Sequence, residues 1–138
     1  MDTTLVKRPD VDIEEDIRKF VRSYSPIKQA QGHFEYSVKD GHVTISGHVR
    51  SVQAHRVMID NIPDIEGVVS MDASQFYNDE DLRIKLGTAV SSGVLVRVNY
   101  GSVVVTGHLP PGKTADEIIE AVKKAPGVRA DRVVAEFI

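Results

Sequence analysis

One ten-residue pattern occurs twice. Asp40-Gly41-His42-Val43-Thr44-Ile45-Ser46-Gly47-His48-Val49 is answered 60 positions later by Tyr100-Gly101-Ser102-Val103-Val104-Val105-Thr106-Gly107-His108-Leu109. Gly, Gly and His coincide, Ser meets Thr, and the apolar positions fall together. At the same offset Gly67-Val68 meets Gly127-Val128. Upstream, Ile13, Ile17 and Val21 align with Leu82, Leu86 and Val90 at an offset of 69. The difference between 69 and 60 leaves nine extra residues in the first copy, around Ser25–Gly32. A chain that writes one pattern twice folds one small unit twice. At 138 residues each copy is ~60 residues, marginal alone, so the two are expected to pack together. Tyr77-Asn78-Asp79 joins them and is too short for a flexible tether.

Within each copy the apolar period changes in the same order. Ile13, Ile17, Phe20, Val21 and Tyr24 have helical spacing, and Pro26 ends that helix. Phe34, Tyr36 and Val38 alternate as a half-buried strand does; Lys39-Asp40-Gly41-His42 is a hairpin turn; Val43, Ile45 and Val49 alternate on the return. Ala54, Val57, Met58 and Ile62 form a helical stripe stopped by Pro63, and Val68–Phe76 reads as a third strand. The second copy repeats this with Leu82, Leu86, Ala89 and Val90, then Val94, Val96 and Val98, then Val103 and Val105. Thr114 with Glu117 is a capping box opening a helix with Ala115, Ile118, Ile119 and Val122 on one face, and Arg129–Ile138 is the last strand. The fold class is α+β: two tandem αββαβ repeats, each a small three-stranded mixed sheet against two helices. The expected division is an N-terminal tail over 1–10, one repeat over 11–76 and the other over 79–138.

These residues resemble the BON domain, a module named for an osmotically induced periplasmic protein and nodulation proteins. The pattern of strand, Gly turn, V-x-L-x-G-x-V strand, helix and G-V-x-x-V is met by Val38, Gly41, Val43-Thr44-Ile45-Ser46-Gly47-His48-Val49 and Gly67-Val68-Val69. It is met again by Val98, Gly101, Val103-Val104-Val105-Thr106-Gly107 and Gly127-Val128. The resemblance implies a non-enzymatic α/β module, often in two copies. It also implies association with phospholipid membranes, or binding of a small ligand or ion, in envelope integrity and osmotic or general stress. The nine-residue insertion and Pro110-Pro111 after the second copy's strand depart from the pattern.

Composition removes several chemistries. The chain has no cysteine, so disulfides, thiolate metal sites and Cys nucleophiles are excluded. Lys plus Arg is 17 and Asp plus Glu is 20, a formal net charge of −3, spread evenly over the two copies. No basic module marks a nucleic-acid surface, and no nucleic-acid partner is expected. No apolar run approaches the ~18 residues of a membrane helix, and residues 1–10 carry no signal-peptide core. The chain as given reads as cytoplasmic, or as periplasmic if it is a processed fragment.

Each candidate constellation has a plain structural alternative. Gly107-His108-Leu109-Pro110-Pro111-Gly112-Lys113-Thr114 matches G-x-x-x-x-G-K-[ST], the P-loop pattern. Pro110 and Pro111 remove two N–H donors from the would-be phosphate cradle, and the repeat partner Gly47 has no Gly-Lys-Thr after it. A cap at Thr114 and a turn at Gly112 explain the segment. The five histidines, His33, His42, His48, His55 and His108, read as surface residues; His42 and His48 lie ~20 Å apart along one strand, too far for one metal. Glu14-Glu15-Asp16 and Asp79-Glu80-Asp81 suit the dipole of the helices they begin. Gly41, Gly47, Gly101 and Gly107 read as turn and close-packing positions. Lys113, Lys123, Lys124, Arg129 and Arg132 make the last third of the second copy locally basic, a weak anionic-lipid or partner contact or a solvated helix end. Leu95, Val104 and Val134 stand opposite the core stripe, to cover the other copy or to form an apolar binding patch.

The sequence therefore describes a binding or structural module with no catalytic residue, metal ligand or cofactor assigned. Its expected partner is an anionic phospholipid surface or a protein, in a stress or osmotic role. The alternatives are a cytoplasmic protein for a small ligand or an ion such as potassium, a nucleotide binder through Gly107–Thr114, and an assembly piece pairing through an open strand edge at Ile138.

Overall fold

The structure is a computed structural model that describes residues 7–138. The first half runs α1 (Asp10–Ser23), α2 (Ser25–Gln29), β1 (Phe34–Lys39), β2 (His42–Val49), α3 (Val52–Asn61) and β3 (Ser70–Asn78). The second runs α4 (Asp79–Ala89), β4 (Val94–Asn99), β5 (Ser102–Gly107), α5 (Ala115–Lys123) and β6 (Val133–Phe137). Short 3-10 turns at Ile62–Asp64 and Ala130–Arg132 lead toward β3 and β6. The part of the expected 1–10 tail before Lys7 lies outside the described residues.

Each half makes one three-stranded mixed sheet. In β1-β2-β3 the hairpin is antiparallel and β2 pairs β3 in parallel; β4-β5-β6 has the same order and directions. A parallel return needs a crossover, which α3 and α5 supply. Alternation then sorts the side chains. Val43, Ile45 and Val49 of β2 are buried with Ile13, Ile17, Val21 and Met58. Val103 and Val105 of β5 are buried with Leu86, Ile118 and Val122 in a smaller second core.

Three expectations shift. Pro26 does more than end the first helix: it sits at the start of α2, where its missing N–H costs nothing. The insertion is thus a helix, and its Ile27 and Ala30 are fully buried in the first core. The third strand begins at Ser70 rather than Val68, and the last at Val133 rather than Arg129, because a 3-10 turn occupies Ala130–Arg132. The capping box is half formed. Thr114 Oγ1 accepts from the Glu117 N–H at 3.2 Å, but Glu117 Oε1 takes the Thr114 hydroxyl at 3.3 Å rather than a backbone N–H.

The acidic residues that open α1 and α4 have a use beyond the helix dipole. Both hairpin turns place two successive residues at positive φ, Asp40 (51°) with Gly41 (80°) and Tyr100 (48°) with Gly101 (81°). That conformation aims two adjacent N–H groups at one point, a concavity suited to an anion. Asp10 fills the first: the Asp40 and Gly41 N–H groups donate to its carboxylate at 2.8 and 3.0 Å. Asp79 fills the second, taking Tyr100 and Gly101 at 2.7 and 3.1 Å. Each first helix is thereby bolted to its hairpin. Asp79 is buried, so Asp79→Ala should cost about 2 kcal/mol by urea denaturation, more than Asp10→Ala at its half-buried site, because it strands one buried and one half-buried donor.

β3 carries a register shift opposite Thr44–Ser46. There the Asp72 carboxylate accepts the Ser74 N–H at 2.9 Å and the Ser74 hydroxyl at 2.7 Å. These two bonds, the backbone one foremost, hold the Asp72 carboxyl below its ordinary value. A folded value lower than the unfolded one stabilises above the ordinary carboxylate range, and that contribution is lost as pH falls through the lowered value. Asp72→Asn should therefore be less stable than the parent near neutral pH and converge with it at acidic pH, as denaturation midpoints across pH would show.

Candidate functional site

The two units meet end to end. β3 passes into α4 without a linker: Asn78 is the last residue of the strand and the N-cap of the helix, its side chain accepting from the Asp81 N–H at 2.9 Å. This brings the Gly47-His48 end of the first sheet onto the Tyr100-Gly101 turn of the second. The ring of His48 lies over Gly101, where a Cβ would collide with it. His48 Nε2 lies 2.6 Å from the Gly127 carbonyl; a carbonyl only accepts, so this nitrogen carries the proton. His33 stacks on Tyr100 with centroids 3.6 Å apart and planes within 3°. Arg50 donates to Asn99 Oδ1 at 3.1 Å and its guanidinium stands over the Tyr100 ring at 5.4 Å. The Val52 N–H donates to Glu80 at 2.9 Å.

A cleft of about 310 Å³ opens at this junction, lined by His33, Glu35, Ser46, His48, Tyr100 and Arg129. It is polar and shallow. His33, His48 and Tyr100 already serve the contact between units, which leaves Ser46, Glu35 and Arg129 as its spare polar groups.

The histidines thus divide. His48 and His55 are half-buried rather than surface residues, and His55 donates to the Phe76 carbonyl at 3.1 Å while stacking on its ring. His42 pairs with Ser70. Among the described residues no three His, Asp or Glu side chains gather as a metal site.

The basic residues of the second unit do not form one cluster. Lys113 precedes α5 and Lys123 and Lys124 end it, about 15 Å apart along the axis at ~1.5 Å per residue. Lys123 lies 3.7 Å from Glu120, and Arg129 lies 3.8 Å from Asp131 at the junction, its N–H bound to the Gly101 carbonyl. Lys113, Lys124 and Arg132 are exposed. Gly107–Thr114 closes on itself: the Lys113 N–H donates to the Pro110 carbonyl at 3.1 Å and the Thr114 hydroxyl caps α5. Those groups are spent where a phosphate cradle would need them free.

Leu95, Val104 and Val134 do not cover the other copy. They stand on the outer face of the second sheet at 64, 38 and 56 % exposure. Register places Arg97, Val104 and Val134 in one row and Leu95, Thr106 and Glu136 in the next. The matching face of the first sheet is polar, with Glu35, Ser37, Thr44, Ser46 and Asp72. The repeat offset pairs Leu95 with Glu35 and Val104 with Thr44, so a comparison of the copies by sheet face would have singled this patch out.

The family model for the BON domain matches residues 9–72. Two solved structures share the fold over nearly the whole chain. One is the C-terminal domain of CdsD, the structural protein of the type III secretion system of Chlamydia trachomatis, at 15% identity and a TM-score of 0.65, covering 98% of this chain and 67% of that one. A second CdsD structure from the same organism gives 15% identity, a TM-score of 0.66, and coverage of 95% and 65%. This chain therefore spans about two thirds of the CdsD chains it matches. No curated protein matches the sequence. Among the described residues no helix is long and apolar enough to cross a membrane.

The junction should be energetically real. His48→Ala removes the bond to Gly127 and the contact with Tyr77, and should loosen the second unit by about 1–2 kcal/mol. Hydrogen exchange would show faster opening of β4–β6 amides with little change at β2.

Proposed function

Starting from a chain that carries a BON domain over residues 9–72 and repeats its order of elements afterwards, we propose a non-enzymatic binding and structural module. Its working surface is the outer face of the second sheet, and its partner is a protein. The observation that carries this reading is the exposed pair of Val104 and Val134, with Leu95 in the adjacent row, on a sheet whose counterpart is polar. Exposed contiguous apolar surface with a polar rim marks an interaction site. The rim here holds both Arg97 and Glu136, a mixed pair that suits a protein surface better than a uniformly anionic membrane.

A second reading is peripheral contact with anionic phospholipid through Lys113, Lys123, Lys124, Arg129 and Arg132. The exposure of Lys113, Lys124 and Arg132 favours it. The dispersal of the group and the nearby carboxylates of Glu120 and Asp131 weigh against it. A small ligand or ion would be held in the cleft between the units, where few polar groups remain free. The role in osmotic or general stress rests on the family resemblance alone.

A photo-crosslinking amino acid at Leu95 or Val134 should give discrete adducts in cells, and one at Ser37 or Thr44, on the polar sheet, should give none. Equal labelling on both sheets would overturn the protein reading. Flotation with phosphatidylglycerol and with phosphatidylcholine vesicles at two salt concentrations separates the readings. Salt-sensitive binding to the anionic vesicle alone, weakened by Lys124→Glu with Arg132→Glu, would move the function to the membrane.

A further inference from the structure

Among the described residues, the contact inside the chain has a counterpart at each end of the molecule that no residue of the same kind fills. The first unit presents Gly47-His48, and the second receives it on Gly101 and Gly127. The second unit presents the same end: the His108 N–H donates to the Gly93 carbonyl at 3.0 Å, as the His48 N–H donates to that of His33 at 2.8 Å. Gly107 is pressed against Gly93 as Gly47 is against His33, with no room for a Cβ. His108 is exposed.

The first unit has the same receiving end. The Val69 N–H donates to the Gly41 carbonyl at 2.8 Å, as the Arg129 N–H does to that of Gly101 at 2.8 Å. Arg8 lies over Gly67 where Tyr77 lies over Gly127, and these two residues share the offset of 69. Where the imidazole of His48 lies over Gly101 in the second unit, the Val69 side chain and the Gly67 carbonyl lie over Gly41 in the first, beside a cavity of about 540 Å³ lined also by Arg8, Asp40 and Glu66, so an incoming imidazole must turn the exposed Val69 side chain aside.

We propose that the chain associates head to tail with a second copy, His108 of one molecule entering the cavity of the next over Gly41 and donating to the Gly67 carbonyl. The contact is heterologous, so it propagates into a ring or an open array. Four contacts of the internal junction have no counterpart. The stack of His33 on Tyr100 becomes Gly93 beside Asp40, the Arg50–Asn99 bond and the Arg50–Tyr100 contact become Pro110 beside Lys39 and Asp40, and the Val52–Glu80 bond becomes Gly112 beside Val11. The internal contact also enjoys the high effective concentration of a covalent joint. Association between copies is therefore weaker and concentration-dependent. It uses the ends of the molecule, leaves the outer face of the second sheet free, and is independent of the function proposed above.

Sedimentation equilibrium of the 138-residue chain from about 10 μM to about 1 mM tests it. The average mass should rise past the dimer. His108→Ala destroys the presenting end and Val69→Glu the receiving end; both residues are exposed, so the fold should persist. Each variant alone should stay monomeric. Their equimolar mixture should form a one-to-one dimer and stop there, since one good end of each kind remains. Lys39→Asn with Pro110→Arg transplants the missing bond and should tighten association about fivefold. Leu95→Asp with Val134→Asp should leave it unchanged. A monomeric parent at every concentration would overturn the proposal. So would variants that associate as the parent does, a mixture that stays monomeric while the parent associates, or a transplant without effect.

Discussion

In each unit one carboxylate at the first residue of a helix holds two neighbouring N–H groups of a hairpin turn. Asp10 does this for Asp40 and Gly41, and Asp79 for Tyr100 and Gly101. The turn needs its two positive φ angles to match the twist of the strands, and those angles leave the N–H groups convergent and unpaired. A carboxylate satisfies both at once, with charge-assisted bonds stronger than neutral ones. The helix then cannot slide along the sheet, and the hairpin cannot pivot away from the helix. The surface that receives the first unit is built on this clamp: Gly101 lies under His48 because Asp79 fixes the turn that contains it.

The smaller second core makes that dependence asymmetric. The first unit adds Ile27 and Ala30 from its extra helix and closes around Phe76. The second has no such helix, and its Leu86, Val103, Val105, Ile118 and Val122 form a thinner layer. A unit of ~60 residues buries a modest fraction of its surface. Contact with the first unit through His33, His48 and Arg50 supplies what the second lacks. It also leaves the outer face of the second sheet unspent on internal packing.

Much of this was legible in the residues. The alternation of Val43, Ile45 and Val49, and of Val103 and Val105, located both central strands and their buried sides. The repeat itself gave the order of elements and the mixed sheets. Periodicity is silent where a contact joins a side chain to a distant backbone. Asp79 read only as a helix-start acid and Asp10 as the end of the N-terminal tail, although the offset of 69 that relates the two first helices also relates these residues. Pro26 read as a stop because a proline that ends one helix and a proline that starts the next look alike in sequence. Gly101 and Gly127, against which His48 packs, sit in the other unit, and no local pattern records a contact made across the joint. The contrast between exposed Leu95 and Val104 and the polar Glu35 and Thr44, on which the proposed function rests, needed the sheet faces to be compared copy against copy.

The direct splice of β3 into α4 at Asn78 has a mechanical meaning. A pull applied at Pro9 and at Ile138 enters the first unit at its turn end and leaves along β3. It then enters the second unit at its own turn end and leaves along β6. In both units the exit strand is bound to its neighbour by a parallel ladder, interrupted in the first by the register shift opposite Thr44–Ser46, so the load runs along the ladder. Tension meets two shear-loaded sheets in series, with no slack segment between them to absorb extension.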